Sequence, residues 1–180
     1  KPAKAPVASS EAGPADRITL DDEFDVSTWL SNFLVKDGKA HFLYMARTEP
    51  MRQHHVRYDL ATGKRDVDHQ PQFRGDKLAI RGLDGFFATR SDTTGSPLFC
   101  IGHDERSTRI VCLASDDNGA TWRDHAVSAP FRQPYAIGGC REVTPDGWII
   151  GSLTDLTDKK KDGAFESRVH FFRIPSRHTP

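Results

Sequence analysis

The chain has 180 residues, with 25 basic and 25 acidic side chains and a formal net charge of zero. That length allows one ordinary domain with a real core. The balanced charge excludes a broad nucleic-acid footprint or a polybasic membrane patch, and no apolar run approaches the roughly 20 residues of a membrane-spanning helix.

Residues 1–17 are rich in Lys, Pro, Ala, Ser and Gly, with Val7 as their single β-branched apolar residue. Such a stretch buries too little apolar surface to offset its ordering entropy, so a flexible leader is expected. It starts without Met and has no hydrophobic h-region, which suits the linker left behind a removed signal peptide. A secreted or periplasmic location is the expectation.

From residue 18 onward helical periodicity is weak. Short apolar runs alternate with turn chemistry at Asp37-Gly38, Thr62-Gly63, Thr94-Gly95, Asn118-Gly119 and Asp146-Gly147, the pattern of an all-β sandwich, barrel or propeller. Three units share one layout. The first has Asn32-Phe-Leu-Val, a turn at Asp37-Gly38, Ala40 to Met45, then His55-Val-Arg-Tyr-Asp. The second has Gly85-Phe-Phe-Ala-Thr, a turn at Thr94-Gly95, Leu98-Phe-Cys-Ile, then Arg109 to Ser115. The third has Ile137 to Val143, a turn at Asp146-Gly147, Trp148 to Leu153, a long polar loop, then Arg168 to Ile174. The turns recur every 50–60 residues or so, close to the unit length of a four-stranded propeller blade. The expected fold is therefore an incomplete β-propeller of about three four-stranded antiparallel blades, at 28–75, 76–130 and 131–176, within a domain spanning 18–180.

Cys100 and Cys112 lie in the two apolar runs of the second unit. Folding these back about Glu105-Arg106 brings the cysteines nearly opposite each other, which leaves two readings open: a cross-strand disulfide or two buried thiols. Cys140 is expected to be a small core residue.

The second unit ends in Ser115-Asp-Asp-Asn-Gly-Ala-Thr-Trp122. This resembles the Asp-box, Ser-x-Asp-x-Gly-x-Thr-Trp, of sialidases and other propellers with bacterial neuraminidase repeats, and Ser115, Asp117, Gly119, Thr121 and Trp122 match its defining positions. Asp117 can accept backbone N–H bonds within its turn, Gly119 can supply a positive φ, Ser115 and Thr121 can tie the flanking strands, and Trp122 can bury its ring between them. The resemblance implies a structural hairpin on the rim, between a blade's last two strands. Asn32 to Tyr44 resembles the opening blade of five-bladed glycosidase propellers, although Leu30-Ser31-Asn32 stands where their catalytic Asp would be. Arg141-Glu-Val-Thr-Pro-Asp-Gly147 resembles the family's Arg-x-x-x-x-Asp-Gly approach to an inner strand. Phe172-Arg-Ile-Pro175 spells a sialidase motif at the wrong end of the chain, and reads as a last strand stopped by Pro.

His54-His55 with Arg57 and Tyr58 is the most reactive-looking cluster, since a propeller lyase can use His or Tyr as a base beside an Arg-held uronate. Alternation along a strand separates the two histidines, and solvated strand residues are expected instead. No metal-ligand spacing occurs, Asp155, Asp158 and Asp162 lack the spacing of a calcium loop, and no cofactor is implied. The better ligand candidates begin the inner strands, which line a propeller's channel: Asn32, Arg81 with Asp84, and Tyr135 with Arg141. These suit an acidic or hydroxyl-rich glycan. Tyr135 with Glu142 is conceivable as a nucleophile pair, but a full sialidase set cannot be placed.

The expected function is an exported module that binds a glycan or protein ligand. The alternatives are a portion of a sialidase-like glycoside hydrolase or, second to it, of a polysaccharide lyase, and an exported inhibitor or immunity protein. Three blades leave two sheet faces open, so a homodimer completing six blades is expected.

Overall fold

A computed structural model describes residues 28–46, 52–69, 72–73, 78–79, 81–90, 95–104, 109–131, 134–159 and 165–177. The leader at 1–17, Thr94, the Glu105-Arg106 turn and Asp162 lie outside the described residues. Among those described there is no helix; thirteen strands form three antiparallel meanders and a two-stranded ribbon.

The first sheet runs in sequence order through β1 (Thr28–Lys36), β2 (Lys39–Ala46), β3 (Arg52–Asp59) and β4 (Lys64–His69). The ribbon pairs β5 (Gln72–Phe73) with β6 (Leu78–Ala79). The second sheet holds β7 (Arg81–Ala88), β8 (Leu98–His103), β9 (Ile110–Ser115) and β10 (Arg123–Val127). The third has three strands where four are expected: β11 (Pro134–Gly139), β12 (Trp148–Lys159) and β13 (Phe165–Pro175). Asp155 to Lys159, expected in a polar loop, instead extend β12, because pairing with β13 continues out to Lys159 opposite Phe165.

The turn chemistry explains the meanders. Gly38, Gly63, Gly95, Gly119 and Gly147 all have positive φ, the backbone conformation that the X-Gly turns require. At the β1–β2 hairpin both Asp37 and Gly38 are left-handed, and Lys36 pairs with Lys39. That is the two-residue loop whose twist matches the strands it joins.

The second sheet is the middle layer. Its β8 and β9 are buried at every position, as expected of continuous apolar runs such as Leu-Phe-Cys-Ile and Ile-Val-Cys-Leu. One face, with Phe86, Phe99, Ile101 and Cys112, packs on Ile137, Ile149, Leu153 and Ile174 of the third sheet. The other face, with Phe87, Leu98, Cys100, Leu113 and Trp122, packs on Leu43 of the first.

The register settles the cysteines. Cys100 pairs with Leu113, and Cys112 pairs with Ile101. A step of one residue sends neighbouring side chains to opposite faces, so Cys100 and Cys112 lie in different cores and both are free thiols. Burial pushes both thiols well above their ordinary pKa, as desolvation of a thiolate requires. Cys140 is exposed, contrary to the expected core position, because it lies just past the end of β11.

Candidate functional site

The first strands of the three sheets lie side by side, with β1 and β11 both against β7. Each is irregular where a ligand candidate stands. In β1 the register breaks between Leu30 and Asn32. In β7 it breaks between Arg81 and Phe86, around Asp84. In β11 it breaks between Pro134 and Ala136, at Tyr135. Extra residues of this kind re-aim side chains and concentrate beside binding sites. Breaks also occur in β3–β4, β9–β10 and β12–β13, so it is the coincidence with the candidates that sets the first strands apart.

Asn32 is opposite Leu43 and so shares the face that packs on the second sheet. Its Oδ1 is buried with no hydrogen-bond partner among the described residues. An unpaired acceptor in such a place carries a desolvation cost.

Arg141 is not grouped with Arg81, Asp84 and Tyr135. Arg141 O accepts from Thr89 N, which places it past the far end of β7, and its guanidinium lies 5.1 Å from the Phe33 ring centre. The strand between Arg81 and Ala88 spans the four-residue step from His103 to Phe99 on β8, roughly 13 Å. Tyr135 and Glu142 are likewise at opposite ends of β11, since Glu142 bridges Thr89. They do not form a nucleophile pair.

The Ser115–Trp122 segment joins β9 to β10, the last two strands of its sheet, and most of its hydrogen bonds close on itself. Ser115 Oγ donates to Asp117 Oδ1 at 2.7 Å and accepts from Gly119 N at 2.7 Å. Thr121 donates its N–H to Asp117 Oδ1 at 2.8 Å and its hydroxyl to Oδ2 at 2.6 Å. Partial burial opposes the charge on Asp117, but these donors prevail and hold its carboxyl down at about 2. The residues expected to tie the flanking strands therefore tie the turn.

The turn also grips the first sheet. Arg57 Nη1 donates to Asn118 O at 2.6 Å and to Asp117 O at 3.3 Å, while its Nε and Nη2 hold Asp66 at 2.8 and 3.1 Å. Trp122 is buried between the sheets, stacked on Phe87 and edge-on to His55.

Here His55 corrects the expectation of a solvated strand residue: it is 0% exposed, as is His41 beside it. They stack with their planes 6° apart. Sequence alternation places His55 on the face opposite His54, but which face is buried depends on the second sheet. Every proton in the buried contact can be assigned from one end. Trp122 Nε1 can only donate, and it meets His55 Nδ1 at 3.4 Å. A neutral His55 then carries its proton on Nε2 and donates to His41 Nδ1, 3.1 Å away. His41 in turn donates from Nε2 to Asn118 Oδ1 at 3.1 Å, and Asn118 Nδ2 donates to Lys36 O at 3.2 Å. Burial, reinforced by the Arg57 charge, lowers His41 to about 4. Burial, with His41 and His69 beside it, pushes His55 well below the usual range. Both His55 nitrogens are engaged and enclosed, so His55 has no lone pair with which to act as a base on a substrate. His54 is half-buried on the other face, stacked on Tyr44 and 3.6 Å from Asp68.

No group of His, Cys, Asp and Glu that could hold a metal occurs among the described residues, and they include no helix long and apolar enough to cross a membrane. No protein-family model, curated protein or solved structure matches the chain.

Proposed function

We propose that the chain is an exported, sialidase-like β-propeller module that binds an acidic glycan, or an acidic protein surface, along the first strands of its sheets. The observation that carries this reading is the coincidence of strand irregularities with Asn32, Asp84 and Tyr135 on three adjoining first strands. The in-order meanders, and a turn of Asp-box sequence between β9 and β10, support the propeller type. Export rests on the composition of residues 1–17. Two copies meeting through their outer sheets would complete a six-bladed ring.

Because Arg81 and Arg141 lie at opposite ends of β7, glycan length separates their roles. On an array of acidic glycans, Arg81→Ala is expected to weaken binding of short and long chains by about tenfold or more, the cost of one charge-assisted hydrogen bond. Arg141→Ala should weaken long chains alone. Both variants should keep the wild-type melting temperature. Equal binding by the wild type and both variants removes the first strands from the site.

A further inference from the structure

The chain has two asparagines, Asn32 and Asn118, and of these Asn118 alone precedes a glycine. An Asn-Gly amide is readily lost in water, because glycine has no side chain to shield its backbone nitrogen. Hydroxide removes the Gly119 N–H proton, and the nitrogen bonds to Asn118 Cγ. The Cγ–Nδ2 bond breaks, and the amide nitrogen leaves as ammonia with a proton taken from water. Water then opens the five-membered imide at one carbonyl or the other, giving aspartate or isoaspartate. Nothing is oxidised or reduced, and water is the one co-reactant.

The fold opposes each step of this reaction. Gly119 is buried, and its N–H donates to Ser115 Oγ at 2.7 Å, so its proton is withheld from hydroxide. The Asn118 amide is held at both ends, since Oδ1 accepts from His41 Nε2 at 3.1 Å and Nδ2 donates to Lys36 O at 3.2 Å. Turning Cγ toward Gly119 N breaks both bonds. The backbone is also set against ring closure. Asn118 has φ 54°, in the left-handed region where ψ is about +30 to +60°, whereas the imide ring needs ψ on the negative side. Rotating ψ there would swing Asn118 O away from Arg57 Nη1, 2.6 Å from it. One contact works the other way, because the His41 N–H polarises the amide carbonyl and favours attack. That help is idle while the nitrogen is out of place.

We propose that Asn118 is a latent deamidation site, silent while the first and second sheets are clasped together and converted irreversibly when they part. The product lacks the Nδ2 donor for Lys36 O and sets a carboxylate against that carbonyl. Isoaspartate also adds a carbon to the backbone of a turn whose bonds run from Ser115 to Thr121. Either product weakens the joint that kept the amide intact, so the chain retains an opening as a covalent change. The ligand site on the first strands plays no part in this.

Incubating the full chain in mildly alkaline buffer, with and without denaturing urea, tests the proposal when the Asn118 peptide is followed by mass spectrometry. Conversion in the folded chain should be about a hundredfold slower than in urea, as for any step that proceeds from an opened state. His41→Leu frees the amide and should speed conversion of the folded chain by about tenfold. Ser115→Ala, which releases the Gly119 N–H, should speed it as well. If either variant fails to fold, the wild-type comparison decides alone. The converted wild-type chain should melt at a lower temperature than the unconverted one. Comparable rates with and without urea, slower conversion in a folded His41→Leu, or an unchanged melting temperature after conversion would each overturn the proposal.

Discussion

Protonating either buried histidine breaks the directional chain from Trp122 to Lys36. A charged His41 presents a second donor to His55 Nε2–H, with Arg57 and Lys36 adding repulsion and Asp66 partly offsetting it. The unfolded chain takes up a proton near pH 6.5, whereas folded His41 does so near 4. Stability is therefore full above the unfolded pKa and falls as pH drops from 6.5 toward 4. The depression from 6.5 to about 4 corresponds to about 3 kcal/mol. Thermal melts across this range should show the decline, and His41→Leu should flatten it whatever its own stability. A wild-type melting temperature that holds steady from pH 7 to 4 would remove the neutral pair from the joint. Gly119 tests the same contact sterically. Its φ is 81°, and a Cβ there would stand 2.7 Å from His55 Cε1, whereas Gly38, with φ 71°, has open space. Gly38→Ala should cost about 1–2 kcal/mol for the left-handed backbone alone. Gly119→Ala should cost at least ~1 kcal/mol more, from overpacking, as denaturant titration of the two variants would show.

At the scale of elements, the Ser115–Trp122 turn works as an inter-sheet clasp. Trp122→Ala empties a site between two sheets and should destabilise by about 3–5 kcal/mol. Asp117→Ala leaves turn donors unmatched and should cost about 1–2 kcal/mol. Acidic-glycan binding per folded molecule should not change in either. A variant that kept its melting temperature but lost binding would show that the turn belongs to the ligand site. The outline of this element could be read from its residues, since Asp117, Gly119 and Thr121 act within one turn. The histidines beneath it could not, because His41 and Asn118 are 77 residues apart, and nothing local marks them as partners.

The whole molecule is layered unevenly. Its middle sheet is covered on both faces, while the outer sheets expose apolar side chains: Phe33 and Val35 on β1, and Val169 and Phe171 on β13, the last 81% exposed. β13 is also an edge strand, paired with β12 alone among the described residues. Exposed apolar faces and open edges favour association. Light scattering of the purified chain should give a dimer near twice 20.1 kDa. Phe171→Lys and Val35→Lys should each shift it toward monomer with little change in melting temperature. A monodisperse wild-type monomer would exclude the six-sheet ring.

What the residues determine by themselves is local. Positive φ at the glycines of five turns, alternation in β4, continuous burial of β8 and β9, and the internal bonds of the Ser115–Trp122 turn all follow from neighbours within a few positions. Register and layering belong to the tertiary structure. A single-residue step decided that Cys100 and Cys112 face different cores. The approach of a second sheet made His55 a buried link instead of a solvated base. The bond from Thr89 N to Arg141 O put Arg141 past the far end of β7 from Arg81. Each depends on which distant strand lies alongside, and side-chain type and spacing carry no record of that distance.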